Sequence, residues 1–279
     1  MQSSRTFGAK RTLAARIVEV VGKHSVWWEP FCGSLAVTLS KPASRMETVN
    51  DLHGDVINLA RVLQSREHAE QLYAALYPMI PCKQMHVEAK GRANACPAPT
   101  PDTMPDVGRA TDFFVCSWLG RNGCIGTRSF NNNFCIRYTS NGGSPAMRWQ
   151  SAVDAIPDWH DRLRNIVILN TCGIGLCERI EDKVGTACYV DPPYLVKGAA
   201  YVHDFEDADH VRLAAALQRF KQTRVVVSYY SHPRLVELYP GWAVVDVGVT
   251  KSLVNQGRRE SGAEQVKAPE VLLCNFEVE

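Results

Sequence analysis

The stretch of this 279-residue chain with the clearest chemical potential is Asp191-Pro192-Pro193-Tyr194. It follows the apolar, β-prone run 187–190, which predicts that it lies at the carboxyl end of a buried strand, where open α/β sheets gather their ligands. The two prolines fix the backbone, and the Pro192 carbonyl stays free to accept a hydrogen bond. That carbonyl and the Asp191 carboxylate can accept both hydrogens of an exocyclic amine, while Tyr194 stacks on the base. An ordinary strand-to-loop turn with prolines looks similar, so the interpretation needs partners elsewhere.

A second informative stretch is EPFCGS at residues 29–34, which follows the strand-like run 26–28. A strand, a turn of small residues and an apolar helix start let the backbone of a Rossmann-like sheet approach a nucleotide-like cofactor. Gly33 is the only glycine in the turn, so the G-x-G-x-x-G fingerprint is absent, which argues against NAD. Asp51, at the end of the next predicted strand, is placed to accept hydrogen bonds from ribose hydroxyls. Together these residues predict a site for a nucleoside-containing ligand.

A third candidate is FGAK at residues 7–10, which stands before a helical pattern of apolar residues at 13, 17 and 20. The start of a helix normally favours acidic side chains. Lys10 therefore either lies in solvent or reaches an anionic or acceptor-rich ligand.

Residues 78–150 differ from the rest of the chain and are predicted to form an insertion. The proline-rich stretches 96–101 and 104–105 exclude regular structure and predict a loop or a partly disordered tether. The segment carries eight basic and four acidic side chains in a chain of net charge +2, so the positive charge is local. Its arginines and asparagines alternate with aromatic residues, which suits phosphate contact, base-edge reading and stacking, although a merely solvated insertion has a similar charge.

The remaining pattern positions these candidates on an α/β fold. Seven strands are predicted, at 26–28, 47–50, 166–169, 187–190, 224–229, 243–247 and 270–276. Helices separate most of them, but the last two are joined without one, which predicts a Rossmann-like seven-stranded sheet, mostly parallel with an antiparallel edge strand. Asp207 is expected to cap a helix whose Leu213, Leu217 and Phe220 share one face. Residues 1–77 and 151–279 are assigned to one catalytic domain.

Composition narrows the class of protein. With 46% hydrophobic and 22% charged residues, no signal peptide and no apolar run near the ~18 residues of a membrane helix, we expect a cytoplasmic protein without membrane contact. The ten cysteines form no C-x-x-C pair. Cys82, His86 and Cys96 lack a paired fourth ligand, so no metal is expected.

With these stretches in this order, the chain resembles the adenine-N6 DNA methyltransferases of the Dam-like group, and most closely their compact phage- and prophage-encoded members. The matching stretches are FGAK at 7–10, EPFCGS at 29–34, NDL at 50–52 and DPPY at 191–194, and they span nearly the whole chain. The sequence departs from the family pattern at Thr6, near Ser34, and around 171–173, where relatives carry an aromatic residue, a glycine and an aspartate respectively.

The resemblance implies S-adenosylmethionine as cofactor, double-stranded DNA as partner, and roles for particular residues. We expect a monomer or a weak dimer. Catalysis is assigned to Asp191, Pro192, Pro193 and Tyr194. Cofactor binding is assigned to Phe7, Gly8, Lys10, Glu29, Phe31, Gly33 and Asp51. DNA contact is assigned to Arg121, Asn122, Arg128 and Arg137 within the insertion, with Arg121 first because Gly120 and Gly123 flank its turn.

The chemistry of the DPPY stretch leaves two alternatives open. First, the same hydrogen bonds to the two N–H groups of an amine could activate a different amine, namely cytosine N4, an RNA base or a protein amide. A DNA-binding protein with an inactive methyltransferase fold is the other alternative, which the altered positions near residues 6 and 171 keep open.

Overall fold

The computed structural model describes residues 11–120, 133–135, 144–195, 205–252 and 267–278. All seven predicted strands are present among them. They are β1 (Val26–Glu29), β2 (Met46–Asn50), β3 (Val167–Leu169), β4 (Thr186–Val190), β5 (Arg224–Tyr230), β6 (Ala243–Ser252) and β7 (Lys267–Cys274).

The strands form one sheet in the order β3-β2-β1-β4-β5-β7-β6. The pairs from β3 to β5 are parallel, and β7 runs antiparallel to both of its neighbours. This confirms the predicted mostly parallel sheet with an antiparallel edge, the reversed strand being one place in from that edge. Strand β6 extends past the predicted end at residue 247, because Thr250, Lys251 and Ser252 pair with β7 after an irregularity in register. The sequence did not predict this extension, because these residues pair through their backbone and show no hydrophobic pattern.

Eleven helices are found within the described residues. They are α1 (Arg11–Val21), α2 (Ala36–Ser40), α3 (Gly54–Gln64), α4 (Arg66–Leu76), α5 (Lys83–Ala95), α6 (Val107–Leu119), α7 (Pro145–Val153), α8 (Ile156–Leu163), α9 (Gly173–Arg179), α10 (Asp207–Gln218) and α11 (Arg234–Leu238). None of the helices in these ranges is long and apolar enough to cross a membrane.

Helices cover both faces of the sheet. All five residues of β4 are buried, as expected for a central strand covered on both sides. Ala187 and Tyr189 pack with the apolar face of α1, whereas Cys188 and Val190 pack with α9 and α10. Burial on both faces fixes the position of the DPPY stretch, which begins at the next residue.

The segment predicted as an insertion contributes two helices to the largest core. Helix α5 packs on α6, and α6 packs on α3 and α4, so that Phe113 and Phe114 are buried in the same core as residues of α3, α4 and α8. The proline-rich stretch is a loop, as predicted, but it is bound closely to α3. The Asn58 side chain exchanges hydrogen bonds of 2.9 and 2.8 Å with the backbone of Asp106, and Arg61 donates to the Pro101 carbonyl at 3.0 Å.

The predicted cap of α10 is wrong by one residue. The N-cap is Glu206, whose backbone N–H donates to the Asp209 carboxylate at 2.9 Å. Asp207 is the first helical residue and instead pairs with Arg234 at 2.5 Å. Glu206 and Asp207 are both acids of a kind that favours a helix start. Residue type alone therefore does not decide which of the two is the N-cap. Leu213 and Leu217 are buried as predicted, whereas Phe220 is buried too but lies beyond the end of α10 at Gln218.

Candidate active site

The site lies where the carboxyl ends of β1, β2, β3 and β4 meet. Because these strands are adjacent and parallel, they bring together Glu29, Asp51 and Asp191, which lie far apart in the chain. Phe31 and Gly33 belong to the turn that follows β1, and Tyr194 to the turn that follows β4. The structure therefore gathers the predicted site residues that it describes at one edge of the sheet.

The turn after β1 adopts a backbone conformation that suits glycine. Gly33 has φ 44° and Leu35 has φ 58°, both in the left-handed region that side chains disfavour. Apart from its chain neighbours, no atom of the described residues lies within 4 Å of the position that a Cβ of Gly33 would occupy, so within that part of the chain open space adjoins the backbone there. A ligand can therefore approach the main chain at this turn.

Asp51 holds that turn in place. Its Oδ2 accepts a hydrogen bond from the Gly33 backbone N–H at 2.8 Å, and its Oδ1 accepts from the His53 N–H at 2.9 Å. These two bonds orient the Asp51 carboxylate toward the glycine turn. The acid after β2 therefore contacts the glycine turn after β1 directly, a bond that the sequence analysis did not predict.

Asn50 is a further residue of this site that sequence reasoning quoted within a motif but gave no role. Its side chain is fully buried, donates to the carbonyls of Pro30 at 2.8 Å and Thr171 at 3.0 Å, and accepts from the Thr171 N–H at 2.9 Å. One amide thereby joins the end of β2 to the loops that follow β1 and β3. We call Gly33, Asn50, Asp51 and Thr171 the clasp.

Phe31 lies against the loop after β3 on one side and Phe205 on the other. Its ring meets the Phe205 ring edge-on at 5.8 Å between centroids. A Cβ added to Gly173 would lie 2.6 Å from the Phe31 ring, so glycine is required there for the ring to keep its position. The described loop 170–173 carries no acid, and its Asn170 side chain donates to the Asp51 carbonyl at 2.7 Å.

Glu29 is buried at the end of β1, with 2% of its surface exposed. The Thr38 hydroxyl donates to its carboxylate and accepts from the Trp27 indole N–H at 2.7 Å. Burial, together with the negative charge of Asp191, raises the pKa of Glu29 to about 8 despite the bond from Thr38. The side chain is therefore mostly neutral at pH 7.

The DPPY stretch places a carboxylate and a phenol in contact. The Tyr194 hydroxyl lies 3.0 Å from Asp191 Oδ1 and 2.9 Å from Glu270 Oε1, the latter on β7. Burial and the two nearby carboxyl groups raise the pKa of Tyr194 well above its usual value, so the hydroxyl keeps its proton. We call Glu29, Asp191, Tyr194 and Glu270 the acid cluster.

The ring of Tyr194 is held by two other tyrosines. Tyr230 meets it edge-on at 4.5 Å between centroids, and Tyr229 lies 5.7 Å away. Tyr230 and Glu270 were not identified from the sequence. The available signal for Glu270 was a single acid at the head of the apolar run 271–274.

Several predicted residues lie outside the part of the chain that the structure describes. They are Phe7, Gly8, Lys10, Arg121, Asn122, Arg128 and Arg137. Their assignments to cofactor and DNA stay predictions. Two other arginines of the 78–150 segment are engaged within the protein, because Arg109 pairs with the buried Asp55 at 2.5 Å and Arg92 pairs with Asp112 at 2.6 Å.

The comparison with known families supports this chemistry. The family model described as D12 class N6 adenine-specific DNA methyltransferase matches residues 7–253, which include the clasp and all of the acid cluster except Glu270. The match confirms the expectation of an enzyme of the class that methylates adenine N6 in DNA rather than another amine. No individual curated protein matches the chain.

Proposed function

Because the chain belongs to the D12 class of N6 adenine-specific DNA methyltransferases, we propose that it binds S-adenosylmethionine at the clasp and polarises the target amine with Asp191. Methyltransferases of this class generally use that cofactor. The observation that carries the proposal is the meeting of the Gly33–Asp51 bond and the Asp191–Tyr194 contact at neighbouring strand ends.

The residues of the site fit the cofactor in two respects. Within the described residues the backbone of Gly33 adjoins open space, and the Asp51 carboxylate, a type of group that binds ligand hydroxyls, is held beside the same turn by two backbone N–H groups. Asp191 lies near enough to Glu29 for its negative charge to help raise the pKa of Glu29, so one acid at this edge is held neutral beside another carboxyl group. When bound, the cofactor supplies an electrophilic methyl group on a positively charged sulfur. Glu29, Phe31, Gly33 and Asp51 would hold it, together with Phe7, Gly8 and Lys10.

Asp191 and Pro192 act on the amine of the adenine. The lone pair of that nitrogen is delocalised into the ring, which makes it a poor nucleophile. Hydrogen bonds from its two N–H groups to the Asp191 carboxylate and the Pro192 carbonyl favour a pyramidal nitrogen and expose the lone pair. After methylation the nitrogen is strongly acidic, and Asp191 or water accepts its proton.

The base reaches this site by leaving the duplex. Flipping costs a few kcal/mol, and stacking on an aromatic ring returns about 1–3 kcal/mol, a role we assign to Tyr194, while Pro193 stiffens the turn that carries it. Residues 78–150 would read the DNA. Since Arg92 and Arg109 already bind acids of the protein, contact with DNA is assigned to Arg121, Asn122, Arg128 and Arg137.

Transfer of labelled methyl groups tests the proposal. Full-length protein is incubated with methyl-labelled S-adenosylmethionine and duplex DNA, and the DNA is digested to nucleosides, with label expected in N6-methyladenine. Asp191→Ala should lower the rate by about 10²–10⁴-fold, because no neighbour replaces its carboxylate. Asp161→Ala, at a carboxylate with 74% of its side chain exposed, is the matched control and should keep full activity. Near-normal turnover of Asp191→Ala would contradict the assigned mechanism.

A further inference from the structure

The glycine turn after β1 ends on a residue whose backbone conformation its residue type opposes. Leu35 has φ 58° and ψ 14°, and within the described ranges it is the only residue other than glycine with a positive φ. A Cβ disfavours this left-handed region, and leucine lacks the polar side chain with which asparagine or aspartate tolerates it. Leu35 is also the N-cap of α2, where its side chain makes no capping hydrogen bond. Such strain persists only where the surrounding structure enforces it, and it clusters at functional sites.

Packing of the side chain enforces this conformation. Leu35 is 5% exposed and belongs to the largest core of the protein. Together with Val56 and Leu59 of α3 and Phe113 of α6, it lines one small apolar cavity. Burying a leucine side chain typically stabilises a fold by at least as much as one left-handed residue costs. The core therefore holds a backbone conformation that the residue would otherwise leave.

The φ angle of Leu35 sets the direction of the glycine turn. The Leu35 N–H donates to the Cys32 carbonyl at 2.7 Å, which closes the turn around Gly33 and Ser34. Cys32 and Leu35 are buried, whereas the two residues between them are partly exposed. With α2 and the leucine side chain in place, a change from φ 58° to an ordinary value near about −60° would rotate the preceding chain by about 120°. Such a rotation would separate the Gly33 N–H from the Asp51 carboxylate that accepts it.

We propose that Leu35 is a positioning residue for cofactor binding, which holds the glycine turn in its ligand-accepting form through a left-handed backbone that its buried side chain enforces. This inference rests on the proposed binding of S-adenosylmethionine at the clasp. The cofactor requires the backbone conformation at position 35, and the packed side chain is the means by which a leucine keeps it. Glycine adopts the same conformation without packing, whereas alanine has neither the packing nor the freedom.

Leu35→Gly and Leu35→Ala separate backbone conformation from packing. Both variants lose the buried side chain, so denaturant unfolding should show that both are less stable than wild type. In calorimetric titration with S-adenosylmethionine, Leu35→Gly should bind within about threefold of wild type. Leu35→Ala should bind about five- to tenfold more weakly than Leu35→Gly, because only alanine resists the left-handed region. In methyl-transfer assays the loss should appear in KM for the cofactor, with kcat unchanged.

Leu35→Ile gives a second test that leaves no large cavity. Isoleucine has the same number of carbon atoms as leucine, but its branch at Cβ makes a positive φ still less favourable. We expect this variant to remain folded and to bind S-adenosylmethionine about tenfold more weakly than wild type.

Leu39 supplies the matched control. It lines the same cavity from α2, where its φ is negative. Leu39→Ala and Leu39→Gly should bind the cofactor as wild type does, with the glycine variant less stable because glycine disfavours a helix.

Three results would overturn the inference. They are equal affinities in Leu35→Ala and Leu35→Gly, tighter binding by Leu35→Ala, and wild-type affinity in Leu35→Ile. A wild-type protein that fails to bind S-adenosylmethionine would instead refute the proposed function, and this inference with it.

Discussion

The clasp and the acid cluster lie side by side at one sheet edge but are built in opposite ways. In the clasp, the side chains of Asn50 and Asp51 bind backbone groups of neighbouring loops at 2.8–3.0 Å. In the acid cluster, the Tyr194 side chain contacts the carboxyl groups of Asp191 and Glu270, and burial together with nearby carboxyl groups raises the pKa values of Glu29 and Tyr194. The clasp therefore fixes the shape of the site before any ligand arrives, whereas the acid cluster fixes its charge and its supply of protons.

Replacement of Asn50 is the strongest test of the clasp. Asn50→Leu leaves the Thr171 N–H and the carbonyls of Pro30 and Thr171 without their partner, and we expect a loss of about 2–4 kcal/mol in the free energy of unfolding. Because the same bonds position the loops around the cofactor, its affinity should fall as well. Denaturant unfolding and calorimetry measure the two effects.

Asn58 supplies a matched control for that prediction. It is also a buried asparagine that joins a loop through two backbone hydrogen bonds, but on α3 and to Asp106. Asn58→Leu should destabilise the fold without weakening cofactor binding to the folded protein. Equal losses of affinity in both variants would mean that Asn50 has no special connection to the site.

Asp51→Ala should have a smaller effect, directed at the cofactor. Removing a carboxylate that accepts from a ligand hydroxyl should weaken cofactor binding about ten- to hundredfold and leave the preferred DNA sequence unchanged. Calorimetry with the cofactor measures the change. Asp182 is the control, because its carboxylate also accepts backbone N–H groups, from Lys221, Gln222 and Thr223. Unchanged affinity in Asp51→Ala, or an equal loss in Asp182→Ala, would remove Asp51 from the site.

The smallest expected effect is a change in how steeply the free energy of unfolding depends on pH. It tests whether burial in the acid cluster keeps Glu29 protonated. The pKa of Glu29 rises from 4.5 to about 8 on folding, so between these values the folded state keeps a proton that the unfolded state has released. Stability from this group is complete below about pH 4.5 and is lost as the pH rises toward 8, with a slope of at most about 1.4 kcal/mol per pH unit. Glu29→Gln should remove that slope in denaturant unfolding at pH 5–8. The control variant Glu19→Gln replaces an exposed acid and should keep the pH-dependent slope. Identical slopes for wild type and Glu29→Gln would show that Glu29 is ionised in the folded protein.

The sequence was sufficient for whatever is encoded locally. The seven strands coincide with apolar runs. Gly33 and Asp191 belong to short contiguous motifs, so their chemistry can be recognised from the residues next to them in the sequence. The contacts of Asn50 with Thr171 and of Tyr194 with Glu270 span 121 and 76 residues, so spacing along the chain gives no sign of them. The shift of the α10 cap from Asp207 to Glu206 has another cause, since helix ends are decided by backbone geometry that adjacent acids fit equally well.

The loop between α5 and α6 has a consequence for how such chains can diverge. It is attached to α3 mainly through its own main chain, since Arg61 and Asn58 bind the carbonyls of Pro101 and Asp106, and Gly54 faces the carbonyl of Pro99 where a Cβ would lie 1.9 Å from the oxygen. Attachment through carbonyls is indifferent to the side chains that those residues carry. Substitutions in this loop should therefore have little effect, whereas insertions or deletions would misalign its backbone contacts. Among related chains, the length of the loop should vary far less than its amino-acid sequence.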